Sequence, residues 1–395
     1  MRVLISGAGI AGPTLAYWLL QYGLKPTLIE AAPHLRTSGY IIDFWGAGFD
    51  VADRMGLLPE ITSRGYVVRE VRVVNRDGKR VARFPADAFS RMTQGRFVSL
   101  PRGDLAAAIF GKTEGKVETI FGDSVDGIEQ TERGVKVSFR RGGRREFDLV
   151  VGADGLHSRV RDLAFGPENQ FERYLGYKAA GFEVKGYRPR DELVYVMYTE
   201  VGQQVVRFAM RDDRTMFLFT FQDDDIGSAD NVGAQKALLR KRFGASGWEC
   251  PQVLDALDPA DDLYFDRVSQ VRMDPGQGLW TRGRVTLAGD AASCVSLLAG
   301  QGSALAMVAE YILAGELHRA KGDFTEAFRR YQQRFGPFVF KKQKAALRFA
   351  NTFAPKSKFA LFLRNQIFNL MAVPWVADLA VGRDLADRIE LPDYQ

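Results

Sequence analysis

Cysteine and histidine are scarce in this 395-residue chain, and each shortage removes a class of protein. The two cysteines, Cys250 and Cys294, lie far apart, and the three histidines are His34, His157 and His318. A disulfide scaffold is excluded and no Cys/His zinc site at motif spacing can be assembled, so no metal is expected. An excess of one charge is lacking too, since 54 basic residues meet 48 acidic ones. Basic residues gather at Arg140-Arg141, Arg144-Arg145 and at Lys341, Lys342, Lys344 and Arg348. They read as a hairpin tip and a solvated helix face. No aromatic-interleaved stripe accompanies them, so nucleic acid is not an expected partner.

Long hydrophobic runs are also missing. Val3–Ile5 is too short for a signal h-region, and the stretch Phe359–Leu379 is broken by Arg364, Asn365, Gln366, Asn369, Pro374 and Asp378. That stretch reads as an amphipathic helix pair and not as a membrane span. Few cysteines and no signal peptide point to a cytoplasmic location. No Gly-x-Ser-x-Gly elbow is present, which argues against hydrolase chemistry.

What is present suits a globular fold. Hydrophobic residues make up 46% and charged residues 26%, enough for a core, and the length predicts two to three domains. The opening reads strand, turn, helix, strand. Val3-Leu4-Ile5 leads into Gly7-Ala8-Gly9-Ile10-Ala11-Gly12, a helix from Pro13 to about Tyr22 stops at Gly23, and Pro26–Ile29 is the next strand. Residues 177–223 differ, with alternating strands at Gly181–Val184, Leu193–Tyr198, Val205–Met210 and Met216–Phe221. They predict an antiparallel sheet inserted into a parallel-sheet chain. Arg284–Ala288 returns to the first sheet, a long helix runs from Gly302 to about Leu317, and the chain from Phe324 onward is helical.

Gly7-x-Gly9-x-x-Gly12 follows a strand and opens a helix, the context in which three glycines cradle a pyrophosphate. Glu30 closes the second strand, where a carboxylate accepts bonds from ribose hydroxyls and disfavours a 2′-phosphate. FAD or NAD fits this site better than NADP. Two later patches separate them: Gly152-Ala153-Asp154-Gly155, and Gly289-Asp290-Ala291-Ala292 followed by Ala299-Gly300-Gln301-Gly302. A ligand touching both the first turn and the last patch extends beyond a nicotinamide dinucleotide. Asp290 suits ribityl hydroxyls, and the Gly300–Gly302 backbone donors suit the electron-rich edge of a flavin.

With these three motifs in order, the chain resembles the single-component FAD-dependent aromatic-hydroxylase monooxygenases typified by p-hydroxybenzoate hydroxylase. The resemblance implies an α/β fold: a Rossmann-type FAD-binding domain, an inserted antiparallel-sheet substrate domain and C-terminal helices. The corresponding division is 1–72, 98–176 and 264–330 for FAD, 73–97 and 177–263 for substrate, and 331–395 for a bridging helical tail. It implies FAD held by Gly7, Gly9, Ala11, Gly12, Glu30, Arg36, Arg102, Asp154, Asp290, Gly300, Gln301 and Gly302. Asp154 is similar to an aspartate that serves both FAD and NAD(P)H, and Arg102, in Leu100–Leu105, to an arginine that reaches the flavin. The implied reaction uses NADPH or NADH and O2 to oxygenate an aromatic or polycyclic small molecule through a C4a-hydroperoxyflavin, in a monomer or weak dimer. Gly39–Asp43, Ala306–Leu317 and Phe338–Gln343 look closest to the tetracycline-inactivating branch. The chain departs from the pattern at Ser293, where His or Tyr is usual, and at Leu297, where a proline is usual. Those departures leave open an FAD protein without oxygenase activity, or an FAD-dependent isoprenoid reductase.

The substrate side is expected on the inserted sheet. Phe217, Phe219 and Phe221 share one face by alternation, as a core stripe or a pocket wall for a planar ligand. Arg207 is the one charge in Val205–Met210 and would bind a phenolate or carboxylate, or else face solvent. Arg207, Met210, Phe219, Phe221 and Leu297 are the expected pocket residues. No side chain is assigned as catalytic. His157 reads as a supporting hydrogen-bonding residue, His34 and His318 as surface residues, and Cys294 as a packed side chain.

Overall fold

The computed structural model describes residues 1–36, 39–85, 93–225, 227, 229, 231–260, 262–274, 276, 279–353, 355–370 and 389–394. Its first layer is a six-stranded sheet. In spatial order it runs β17 (Thr281–Arg282), β18 (Val285–Leu287), β11 (Leu149–Gly152), β1 (Arg2–Ser6), β2 (Lys25–Glu30) and β7 (Glu118–Phe121). All neighbours are parallel except β17 and β18. Its central strands have no solvent-facing side. Val3, Leu4, Ile5, Leu149, Val150 and Val151 are completely buried, as helix-covered parallel strands require.

The β1 turn leads into α1 (Ala11–Gln21), which ends where Gly23 takes φ +75° and Leu24 N–H bonds back to the Leu19 carbonyl. α2 (Ala47–Arg54) and α3 (Leu58–Arg64) follow β3 (Ile41–Trp45), which pairs antiparallel with β6 (Phe97–Pro101). β6 runs straight into α4 (Arg102–Gly111). A three-stranded meander, β8 (Val125–Gln130), β9 (Val135–Phe139) and β10 (Arg144–Phe147), carries the expected basic hairpin. β11 is followed by α5 (Arg159–Ala164).

The second layer is a seven-stranded sheet. Its order is β16 (Leu263–Val271), β12 (Glu172–Lys185), β15 (Arg214–Gln222), β14 (Gln203–Ala209), β13 (Val194–Glu200), β4 (Glu70–Val74) and β5 (Arg80–Pro85). Every pair is antiparallel except β13 with β4. The sequence division at 264 assigns β16 to the FAD part, whereas the structure makes it an edge of this sheet, paired along β12. Its mixed side chains, Leu-Tyr-Phe-Asp-Arg-Val-Ser-Gln-Val, hide the alternation that marks the other strands. One face is covered by α6 (Val232–Phe243) and α7 (Cys250–Leu257), where Phe182, Phe217, Phe219 and Phe221 pack with Leu239, Phe243 and Leu254.

The chain then returns through β17 and β18 to α8 (Gly289–Ser293) and α9 (Gly302–Arg319). α9 is buried on all sides from Leu305 to Leu317, between α1, α2 and the long α10 (Phe324–Phe353). α11 (Lys358–Leu370) lies on β5. The second half of the expected helix pair, from 371, falls outside the described residues. Residues 389–394 return to the first layer, where the Tyr394 ring fills the space beside Gly315 and its hydroxyl donates to Glu316 at 2.7 Å. Among the described residues, no helix is long and apolar enough to cross a membrane.

Candidate active site

The glycine turn is set by close approach. Gly7 has φ +105°, and a Cβ there would stand 2.4 Å from the Ala153 carbonyl oxygen, just past the end of the neighbouring β11. A Cβ on Gly12 would stand 1.9 Å from the Gly7 oxygen. Gly9 is different, because its missing Cβ faces open space whose nearest protein atom is Arg102 Nη2 at 3.7 Å. The α1 N-terminus therefore opens onto a concave site with a guanidinium on its far side, an arrangement suited to a diphosphate. Glu30 sits at the mouth of the turn, accepting the Ala8 N–H at 2.8 Å and the Ala32 N–H at 2.9 Å.

The last patch closes the other end. Gly289 takes φ +56°, and a Cβ there would meet Ala11 Cβ at 2.8 Å, so α8 starts against the first helix. Asp290 follows it. Burial raises the Asp290 pKa, opposed chiefly by the charge of Arg102. The position of a Gly302 Cβ is 3.8 Å from Asp290 Oδ1, which brings the α9 N-terminus to the same carboxylate. Gly300 has φ +65° with nothing within 4 Å of its Cβ position, and Gln301 caps α9. Gly9, Ala11, Arg102, Asp290 and the 300–302 loop thus converge, with Glu30 beside the turn.

Two expected residues stand apart from that convergence. Asp154 accepts from the hydroxyls of Ser158 and Ser6 and from the Val160 N–H, so its carboxylate fastens the loop between β11 and α5. Arg36 is exposed beyond β2. Sequence reading passed over Arg161, which is fully buried and joins that loop to α8 by donating to the Ala291 and Leu156 carbonyls at 3.1 and 2.6 Å. It also passed over Tyr40 and Tyr264, whose rings lie 5.1 Å apart. Burial pushes Tyr40 up to about 12, against the opposing pull of Arg102. Only the pairing of remote segments marks these three, since no motif spacing does.

The expected substrate residues divide between the two faces of the seven-stranded sheet. Leu297 packs with Tyr177, Ala179, Val268 and Tyr264, and Met210 packs with Ile41, Tyr66 and Phe208 on the face turned to the first layer. Phe219 and Phe221 point the other way, into the α6–α7 core, and do not line a pocket. Arg207 is in register with Phe217 on that same face. It meets neither substrate nor solvent. Its guanidinium donates to Glu249 at 2.7 and 3.0 Å, to the Pro189 carbonyl at 2.7 Å and to Asp191. Alternation groups the three phenylalanines correctly, but which face they take is decided by the helices that need an apolar floor.

The donor set fits a flavin dinucleotide: a helix N-terminus with an open Cβ cradle, an arginine across it, a ribose-side carboxylate, and a second buried carboxylate beside another helix start. Fold and site define a flavoprotein. Residues 1–249 match the FAD binding domain family. The chain is 39% identical over 346 residues to an uncharacterized protein of Mycobacterium tuberculosis (strain ATCC 25618 / H37Rv), covering 86% of this chain and 91% of that one. It is 32% identical over 402 residues to a flavin-dependent monooxygenase of Legionella longbeachae serogroup 1 (strain NSW150), covering 100% and 98%. The crystal structure of tetracycline destructase Tet(51) superposes with TM-score 0.84 at 30% identity, covering 100% of this chain and 99% of that one. The chain belongs to the FAD binding domain family. It is an FAD-dependent monooxygenase of the p-hydroxybenzoate-hydroxylase-like fold, and so an oxidoreductase.

Proposed function

We propose that this chain takes electrons from NADPH or NADH and transfers one atom of O2 to an aromatic or polycyclic small molecule, in the cytoplasm. The balance is NAD(P)H, a proton, O2 and substrate C–H in, and NAD(P)+, water and substrate C–OH out. When bound, FAD supplies the electron transfer and the activation of oxygen. The protein's part is to bind, orient and exclude water. Gly9, the α1 N-terminus and Arg102 would hold the diphosphate, Glu30 a ribose, and Asp290 with the 300–302 loop the ribityl chain and ring edge. Tyr40, protonated throughout the physiological range because burial lifts it to about 12, would act as a hydrogen-bond donor and not as a base.

The observation that carries this reading is the sheet face opposite the phenylalanine stripe. There Leu218 and Gly181 come up against Tyr40, and Tyr264 and Leu297 meet around Ala179. This apolar, aromatic wall beside Asp290 and Arg102 suits a planar ligand. The test is a panel of phenols, aromatic acids and tetracyclines, the last chosen because of the similarity to Tet(51). Each is scored for stimulated NADH and NADPH oxidation, O2 uptake and incorporation of labelled oxygen. Substrates should stimulate all three and gain one oxygen atom. Nicotinamide oxidation without oxygen incorporation for any panel member would overturn the reading.

A further inference from the structure

α11 carries more apolar surface than the sheet beneath it covers. Half-buried Leu361 and Phe368 lie on its inner side with the buried Arg364, whose guanidinium reaches Gln204 Oε1 at 3.5 Å. Asn369 fastens the helix to β5, accepting the Arg83 N–H at 3.2 Å and donating to the Val81 carbonyl at 3.4 Å. Facing away are Phe359, Phe362, Leu363, Ile367 and Leu370, which are 42–74% exposed. At 3.6 residues per turn these five share an arc of about 140° and a stripe about 16 Å long. Exposed Val201, next to the Gly202 N–H that donates to the Pro355 carbonyl, and exposed Val81 adjoin its two ends. A helix apolar on both sides is ordinarily covered on both. Scattered apolar side chains on a surface need no explanation, but a continuous stripe marks a docking face.

Charge around the stripe has one sign. Between Glu326 and Asp378 the sequence holds ten lysines and arginines and no acidic residue. Arg329, Arg330 and Arg334 pair with Glu326 or Glu316 at the far end of α10, so the excess lies toward α11. There Lys356 and Lys358 are exposed at the start of α11, Arg83 is exposed on β5, and Lys341 and Lys344 are exposed along α10. A second copy docked through the same face would set this rim against itself, which like charges oppose. An anionic phospholipid surface answers both features, since its acyl boundary takes the stripe and its phosphates take the lysines.

We propose that the outer side of α11 and its basic rim are a peripheral docking face for an anionic phospholipid surface. The test uses the full FAD-loaded chain, sedimented with vesicles of phosphatidylcholine alone or of phosphatidylcholine and phosphatidylglycerol in equal parts. Wild type should bind the phosphatidylglycerol vesicles at least about 10-fold more tightly, and less so as salt is raised. Lys356→Gln with Lys358→Gln should weaken that binding by about 10- to 30-fold, at about one factor of five per lysine. Phe359→Ser with Phe362→Ser and Ile367→Ser should weaken it by more than about 100-fold, with flavin content unchanged. No binding to either vesicle, or equal binding by wild type and the serine variant, overturns the proposal. A dimer that the serine variant dissolves, without vesicle binding, gives the face to a second copy and also overturns it. So does a lowered melting temperature of that variant without vesicle binding, which gives the face to residues 371–388 of this chain. Docking requires no turnover, so it stands or falls apart from the reaction proposed above.

Discussion

Gly9 and Gly12 differ in what a side chain would strike, and that difference separates folding from binding. The Cβ of Gly12→Ala would lie inside the Gly7 backbone, so this variant should lose the β1–α1 packing and accumulate as misfolded protein. Gly9→Val meets only the end of the flexible Arg102 side chain, so it should fold and melt like flavin-stripped wild type but retain no FAD. Flavin content set against circular dichroism reads both, and a yellow Gly9→Val protein would remove the cradle. Arg207 poses the opposite case. Its side chain is 3% exposed between Glu249 and Asp191. Arg207→Ala leaves Glu249 with the Tyr187 hydroxyl but no cation, while Asp191 keeps Arg72 at 2.7 Å, and it should cost about 3 kcal/mol of stability by denaturant unfolding.

At the scale of elements, the loop after β11 is tied to β16 of the other sheet through His157. Its Nδ1 lies 2.6 Å from Glu168 Oε1 and its Nε2 lies 3.0 Å from Asp266 Oδ1. The hydrogen bond to Asp266, with the charges of Asp266 and Glu168, raises the imidazole to about 9 against the cost of burial. A folded pKa above the ordinary 6.5 means that the clamp contributes fully below pH 6.5 and is lost as pH rises through about 9. The ring is half exposed, so the effect is a modest one. The difference in melting temperature between wild type and His157→Gln should be largest near the acid end of that window and vanish at its alkaline end. A pH-independent difference would mean that His157 acts by packing alone. The segment with His157 was legible in sequence, but its partners were not, since Glu168 and Asp266 belong to different elements.

At the scale of the whole molecule, the cofactor contacts proposed above come from the β1 turn, the end of β2, the start of α4, α8 and the loop before α9. A ligand that binds only when these are assembled stabilises the fold by linkage. Stripping the flavin should lower the melting temperature, and restoring FAD to about a hundred times its Kd should return about 2.7 kcal/mol. Equal melting with and without FAD would contradict a bridging site.

Local chemistry determined much of this protein from the sequence alone. Glycine turns at strand ends, the acidic residue closing β2 and the period-two runs of 177–223 act over a few neighbouring residues, so they can be read without the fold. They carried the dinucleotide site, the order of the motifs and the two-layer architecture. Facing and partnership required the tertiary structure. Period-two alternation groups Phe217, Phe219 and Phe221 but carries no sign, and the packing of α6 and α7 chose their side. The same packing took Arg207 out of the pocket, and the seating of α11 against β5 brought Arg364, remote in sequence, to the opposite face. Burial of a charge is decided by which elements meet, and that is a property of the assembled sheet and helices.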